Sequence, residues 1–294
     1  MLTVSTRSGL RAELARRRAG GARVAFVPTM GALHEGHLSL VDEARRRAGV
    51  AVMSVFVNPL QFAPTDDFAR YPRDPASDAA KAAQRGVDVL FTPDASELYP
   101  REPRVRVVPG PVADRWEGGV RPGHFAGVLT VVTKLLHLVQ PDVAVFGQKD
   151  AQQVAVVRAM VEDLDFPTEL AVVPTAREAD GLARSSRNVY LDPDQRRRAA
   201  AIPRALAAME RAFAAGERSA DALARVVQAE LRAGGDLAPD YVAVTDPASL
   251  EPVDVAAPGT LVMVAARVGP TRLLDTIVLG DARYGTGLAG ARAA

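Results

Sequence analysis

The residues best suited to chemistry sit in a few short loops. His34 and His37 stand three apart in Pro28-Thr29-Met30-Gly31-Ala32-Leu33-His34-Glu35-Gly36-His37. At a helix start, that spacing puts both rings on one face, within reach of a single phosphate group. Free N–H groups at a helix N-terminus attract an anion, and neutral imidazoles add donors without fixed charge. Gly36 removes a side chain where a nucleotide would lie close to the backbone. Two other readings of the pair stay open. It could only satisfy local hydrogen bonds, or it could bind zinc. Zinc takes three or four ligands, the chain has no cysteine, and only His124 could join from a distance, so a metal set is unknown.

Gly147-Gln148-Lys149-Asp150 is a second candidate. A lysine there can neutralise phosphate charge, Asp150 can accept from ribose hydroxyls, and Gly147 allows close approach. The alternative is a surface turn with a solvated Lys–Asp pair. Composition weighs against it, because the only lysines are Lys81, Lys134 and Lys149 in a chain crowded with arginine. Ser185-Ser186-Arg187-Asn188 offers two hydroxyls and a guanidinium, a set suited to a polyphosphate that gains charge as pyrophosphate departs. The same string would also serve as a polar interdomain linker. Asn58, Gln61 and Gln153 are neutral groups able to read the hydroxyls and carboxylate of a small polar acid. For Gln153 a helix-surface role fits equally well. Tyr71 and Arg121 are further candidates for lining such a pocket. His124 lies in a Gly-bearing loop and either helps close the pocket or is structural. His137, on an apolar helical stretch, reads as core packing.

These loops need elements to hold them. Residues 24–27, 50–57, 87–91, 143–146 and 170–173 are apolar, β-branched runs that read as buried strands. Between them, helical periodicity covers 38–48, 76–85, 127–139 and 151–163. Strands buried on both faces and separated by helices imply a parallel sheet with right-handed crossovers. The expected fold is therefore a doubly wound, Rossmann-like α/β domain over residues 1–176, with the chemical loops at the carboxyl ends of its strands. Beyond it, Asp192-Pro193 caps a long Ala/Arg helix reaching about Ala215, and Ser219 caps a second helix ending near Gly234-Gly235. Strands at 241–244, 260–266 and 273–279 follow, the last two joined by a Gly-Pro turn. That predicts a smaller α+β domain over 177–294, placed to act as a lid, with a frayed Ala/Gly-rich tail from Gly285. There is no internal repeat or low-complexity linker.

Composition narrows the function classes. The 294 residues are 48% apolar and 24% charged, ordinary for a globular chain. Lys+Arg 36 against Asp+Glu 35 leaves +1, so no charge excess argues for nucleic acid or a membrane surface. The absence of cysteine excludes disulfides, thiolate metal sites and thiol nucleophiles. No apolar run approaches the ~18 residues of a membrane span, and the N-terminus lacks a secretory signal, which points to the cytoplasm.

His34-Glu35-Gly36-His37 resembles the His-x-Gly-His signature of the nucleotidylyltransferase superfamily, shared with class I aminoacyl-tRNA synthetases. The longer string from Pro28 resembles the pantoate–β-alanine ligase family in particular. So do Phe56-Val57-Asn58-Pro59-Leu60-Gln61-Phe62, Tyr71-Pro72-Arg73-Asp74, Arg121-Pro122-Gly123-His124-Phe125, Phe146-Gly147-Gln148-Lys149-Asp150 and Ser185-Ser186-Arg187-Asn188. These motifs run in order from about residue 20 to 192. The resemblance implies an ATP-dependent ligase that adenylates (R)-pantoate and passes the acyl group to β-alanine, releasing pyrophosphate and AMP. By the same resemblance, His34 and His37 donate to the phosphates, His37 being the proton donor. Lys149, Ser185, Ser186 and Arg187 hold the β- and γ-phosphates. The ATP site is implied to include Met30, Gly31, Ala32, Leu33, Glu35, Gly36, Gly147, Gln148, Asp150, Ala176 and Arg184. Gln61 and Gln153 are implied to hold pantoate, the first also meeting β-alanine, with Asn58, Tyr71, Arg121 and His124 around them. Mg²⁺ with ATP, a homodimer, and no nucleic-acid or membrane partner complete the expectation. The sequence departs from the common family pattern at Gln148, where Glu is frequent, at Ala151, where an aromatic is frequent, and at Arg184, where Met or Leu often precedes the serines. A nucleotidyl transferase using the same His pair, and a nucleotide- or RNA-binding module without catalysis, are the competing readings.

Overall fold

The structure, a computed structural model, describes residues 1–63 and 68–288. The first part of the chain runs β1 (Leu2–Val4), α1 (Arg7–Arg18), β2 (Val24–Thr29), α2 (Glu35–Arg47), β3 (Val50–Val55), α3 (Pro75–Gln84), β4 (Val89–Phe91), α4 (Ala95–Leu98), α5 (Trp116–Val120), α6 (His124–Val139), β5 (Val143–Gly147), α7 (Ala151–Asp163) and β6 (Glu169–Val173). The second runs α8 (Pro193–Ala199), α9 (Ala201–Ala214), α10 (Ala220–Gly235), β7 (Pro239–Thr245), β8 (Leu261–Val268) and β9 (Thr271–Val278). Two compact units result. One comprises Met1–Gly147 and Val156–Val173, the other Gln148–Ala155 and Pro174–Ala294. Set against the boundary at 176/177 read from the sequence, the grouping places Gln148–Ala155 and Pro174–Ala176 with the second unit. The cause is tertiary: the turn after β5 packs on β9, far along the chain.

The first unit carries a six-stranded sheet in the order β1-β4-β3-β2-β5-β6, and every pairing is parallel. Alternate strand residues (Ala25, Val27, Ala51, Met53, Leu90, Val143, Val145) pack with Leu40, Val41 and Ala44 of α2 and with Ala82 of α3. On the other side α6 packs on β2 and on α1. With both faces covered, the strands are continuous apolar runs. Strand order reverses between the neighbours β2 and β5, where a parallel sheet opens a crevice at its carboxyl end. Two of the chemical motifs leave the sheet there: the His34/His37 loop follows β2, and Gly147 closes β5.

The second unit packs α9 and α10 on the antiparallel sheet β7-β8-β9. Ile202, Leu206, Met209, Leu223, Val227 and Leu231 meet Val262, Val264 and Ile277 in its core. The β8–β9 hairpin turns at Gly269-Pro270, as the sequence implies.

Several expectations are corrected. The long helix from Pro193 breaks at Ala200 into α8 and α9. Pro203 explains the break, since it has no N–H and its ring clashes with the carbonyl of Ala199, four residues earlier. His124 is not in a loop but opens α6, after Gly123. His137 is exposed on α6, its ring 4.9 Å from that of Phe166, rather than packed in the core. The stretch after Gly285 is not frayed as far as Leu288. Thr286 is buried and donates through N and Oγ1 to Glu210, while Leu288 packs on Gly181. The rest of that tail lies outside the described residues. Finally, α1 escapes sequence reading because only Leu10 and Leu14 give its arginine-rich surface an apolar stripe.

Candidate active site

His34 is the N-cap of α2 and His37 its third residue, and the two rings form a reciprocal cap. His34 Nδ1 accepts from Gly36 N at 3.1 Å, and His37 Nδ1 accepts from His34 N at 3.4 Å. An imidazole nitrogen that accepts carries no proton, so each neutral ring holds its proton on Nε2. The ring centroids are 4.1 Å apart, which groups two Nε2–H donors at one helix N-terminus. Local hydrogen bonding and a phosphate-donating role are thus compatible, because they use different ring nitrogens.

The loop that delivers this pair is held from elsewhere in the chain. Gly31 and Ala32 lie in the left-handed region at φ +85° and +50°. A Cβ on Gly31 would also sit 2.8 Å from Asp78 Oδ2, so glycine is required for both reasons. Asp78 of α3, 3% exposed, accepts from Ala32 N at 2.9 Å and Leu33 N at 2.7 Å. Lys81, one turn on, donates to Leu33 O at 2.8 Å. Leu33 itself buries its side chain in the sheet core. Sequence reasoning missed Asp78 and Lys81. The rarity of lysine singled out Lys81 by number, but nothing local tied a helix 45 residues away to this loop.

Beside the loop, Asn58 is 1% exposed and fully satisfied. Its Oδ1 accepts from Leu60 N (3.3 Å) and Tyr99 Oη (2.9 Å), and its Nδ2 donates to Gly127 O (3.1 Å) and Gln61 Oε1 (3.0 Å). Leu60 N can only donate and Gly127 O can only accept, so the amide cannot be flipped. The orientation of Asn58 dictates that of Gln61, whose Nε2 faces Met30 Sδ at 3.1 Å. A thioether is a weak acceptor, so Gln61 presents a donor suited to a carboxylate or hydroxyl oxygen. Burial pushes the Tyr99 hydroxyl well above its usual pKa range and keeps it a donor. Lys134 lies 5.6 Å over the same ring; burial first, and then the nearby Arg7 charge, lower its pKa.

Arg121 and His124 serve the backbone of the same residue. His124 Nδ1 lies 2.8 Å from Gln61 O and Arg121 Nη2 donates to that carbonyl at 3.3 Å. The carbonyl requires the proton on His124 Nδ1, so Nε2 accepts from Arg121 Nη1 at 3.2 Å. Tyr71 is buried, its ring edge-on to Phe62 at the end of this turn. Gly127 lets α6 approach: an added Cβ would stand 2.2 Å from Leu60 O. The first unit therefore brings together Met30, Asn58, Gln61, Arg121 and His124.

In the second unit, Lys149 Nζ lies 3.5 Å from Asp150 Oδ1, with Asp150 exposed and Gln148 buried. Gln153 is half-buried on α7. The serine motif is not a free linker. Ser185 caps a short 3₁₀ turn, Ser186–Tyr190, by accepting from Arg187 N. Upstream, Ala176 O accepts from Arg184 N at 2.9 Å and Glu178 N donates to Leu182 O at 2.8 Å, closing a small hairpin. Arg196 holds Glu178 and Asp180 together, and its guanidinium keeps the Asp180 carboxyl below the usual range. Glu35 of the first unit is exposed and pairs with Arg85. Among the described residues, no group of three or more His, Asp or Glu side chains is arranged to hold a metal ion, and no helix is long and apolar enough to cross a membrane.

A doubly wound sheet with paired imidazole donors at the switch of strand order, beside a buried amide network, defines an α/β enzyme of the His-x-Gly-His class. Residues 2–278 match the family model described as pantoate-beta-alanine ligase, and the chain belongs to that family. It is 51% identical over 279 residues to the pantothenate synthetase of Geobacillus thermodenitrificans, covering 95% of this chain and 96% of the relative. The solved pantothenate synthetase of Thermus thermophilus superposes with a TM-score of 0.90 at 50% identity, over 95% of this chain and 99% of that one. The pantoate-beta-alanine ligase of Francisella tularensis, solved with a β,γ-ATP compound and β-alanine, gives 0.78 at 29% identity, over 96% and 99%.

Proposed function

We propose that this chain condenses (R)-pantoate with β-alanine, consuming ATP, to give pantothenate, AMP and pyrophosphate. In the first step a pantoate carboxylate oxygen bonds to the α-phosphorus, and the bond from that phosphorus to the β-phosphate bridge breaks, releasing pyrophosphate. In the second, the β-alanine amine attacks the acyl carbon of the adenylate, the C–O bond to AMP breaks, and the amine loses a proton. Adenylation itself makes the carboxylate electrophilic, so the protein's work is alignment and charge stabilisation. Two imidazole Nε2–H donors grouped at a helix N-terminus, past the switch strand β2, are the observation that carries this reading. His37 and His34 would donate to the phosphates. Lys149, Ser185, Ser186 and Arg187 would hold the β- and γ-phosphates, and Gln61, oriented by Asn58, would donate to pantoate together with Gln153. Mg²⁺ would be held mostly by phosphate oxygens and water, as is usual for this ion with ATP. The acyl adenylate must be kept from water, a task the second unit would serve as a lid. A cytoplasmic homodimer belongs to the same reading.

Exchange of labelled pyrophosphate into ATP, with and without pantoate, tests it. Exchange that depends on pantoate, followed by AMP release only when β-alanine is added, is the expected result. A nucleotide retained on the product would mark a transferase, and ATP binding without exchange a non-catalytic module; either would overturn the reading.

A further inference from the structure

Strand β9 touches both phosphate-binding segments of the second unit. Thr276 Oγ1 donates to Lys149 O at 2.9 Å, a contact spanning 127 residues of chain. Its neighbour Asp275, with a side chain 1% exposed, receives Arg177 in a two-point pair: Nη1 to Oδ2 at 2.7 Å and Nη2 to Oδ1 at 3.0 Å. Asp275 Oδ1 also accepts from Thr276 N at 2.7 Å, which links the carboxylate to the residue that holds Lys149. Arg177 opens the hairpin from which Ser185, Ser186 and Arg187 emerge, and its Nη1 donates to Gly181 O at 3.0 Å. At the far side of that arch, Asn188 Nδ2 donates to Glu178 Oε1 (2.9 Å) and Ala183 O (3.2 Å). The arch is therefore tied at both ends to a hairpin that is itself rooted on Asp275.

We propose that Arg177, Asp275 and Thr276 are positioning residues that set the spacing between Lys149 and the arch at 185–187, so that the two segments act as one cradle for the β- and γ-phosphates. This rests on the reading of those segments as phosphate ligands. None of the three touches the reacting atoms. A bidentate guanidinium–carboxylate pair fixes orientation as well as distance, and a buried hydroxyl on a main-chain carbonyl fixes the turn that carries the lysine.

Thr276→Val removes the hydroxyl while keeping the shape, and Thr276→Ser restores it. In pantoate-dependent exchange, Thr276→Val is expected to raise the KM for ATP and pyrophosphate about ten-fold, a fraction of what a ~1 Å misplacement costs. The KM for pantoate should stay within about two-fold, and Thr276→Ser should recover most of the loss. In a Lys149→Ala background, Thr276→Val should add nothing to the ATP effect, because the lysine it positions is gone. An unchanged KM for ATP in Thr276→Val, an equal rise for pantoate, no rescue by serine, or full additivity with Lys149→Ala would each overturn the proposal. Should the valine variant not fold, Thr276→Ala, which places no methyl against the Lys149 carbonyl, carries the same readouts. Lys149→Ala alone separates the two failures. If it leaves exchange and the KM for ATP intact, the phosphate reading falls; if it raises the KM for ATP while Thr276→Val changes nothing, only the positioning role falls.

Discussion

Asp78→Asn is the perturbation that tests most directly how the histidine loop is held. The carboxylate is 3% exposed and accepts two main-chain N–H groups, from Ala32 at 2.9 Å and Leu33 at 2.7 Å. An amide offers one oxygen and one NH₂, so one bond becomes neutral and the other N–H faces a donor. A hydrogen bond to a charged group contributes about 1.5–3 kcal/mol, and a buried N–H left without an acceptor costs about 1–3 kcal/mol. The two figures overlap, and a loss of about 2–4 kcal/mol is expected. The loop also loses the tether that keeps Ala32 at φ +50°, a conformation that costs a non-glycine residue roughly 1–2 kcal/mol. At about 2–4 °C per kcal/mol for chains near this size, Tm should fall by roughly 4–16 °C. The imidazoles should be displaced as well, and a shift of ~1 Å costs on the order of 10²-fold in rate. Differential scanning fluorimetry and pyrophosphate exchange measure the two effects. Asp74→Asn, which keeps the exposed cap of the same helix on Ser77 N, is the control and should change neither. An Asp78→Asn protein that melts within a degree of the parent and exchanges at its rate would refute the reasoning.

His37→Ala should lower kcat by at least ~10²-fold, read from steady-state AMP release, with a Tm lower by only a few degrees for the lost cap bond to His34 N; near-parental turnover would count against its role as a donor. Asn58→Asp replaces the donor that orients Gln61 with an oxygen, so Gln61 should turn its acceptor outward and the KM for pantoate should rise about 10-fold or more. Isothermal titration with pantoate checks this, and unaltered binding would contradict the amide argument. Gly127→Ala forces a methyl onto Leu60 O and should destabilise by about 1–3 kcal/mol in urea titration, with weaker pantoate binding. Asp180 has a lowered pKa because it is bonded to Arg196, so its contribution is present above the unfolded value near 4 and lost as pH falls below it. Tm measured from pH 7 to 3 should drop in that last interval, and less steeply in Arg196→Gln.

The chain's local order carried much of this protein. Buried parallel strands are read as apolar runs because helices cover both faces of the sheet, and Asp192 and Ser219 mark helix starts because a cap bonds to N–H groups two or three residues on. The histidine pair was legible for the same reason: a reciprocal cap needs only a spacing of three. The break at Ala200 was also written locally, in Pro203, though the Ala/Arg helical pattern around it hid the signal. Tertiary structure alone decided what depends on distant partners. The strand order that makes β2 and β5 neighbours, the clamp of Asp78 and Lys81 on the loop before His34, the Tyr99–Asn58–Gln61 amide chain, and the Thr276 hydroxyl on Lys149 all join residues between 41 and 127 apart, save within the turn itself. Capping and periodicity are properties of a few consecutive residues. Which buried amide, carboxylate or hydroxyl meets which main-chain group is set only when packing brings remote segments together and leaves each polar atom to find a partner.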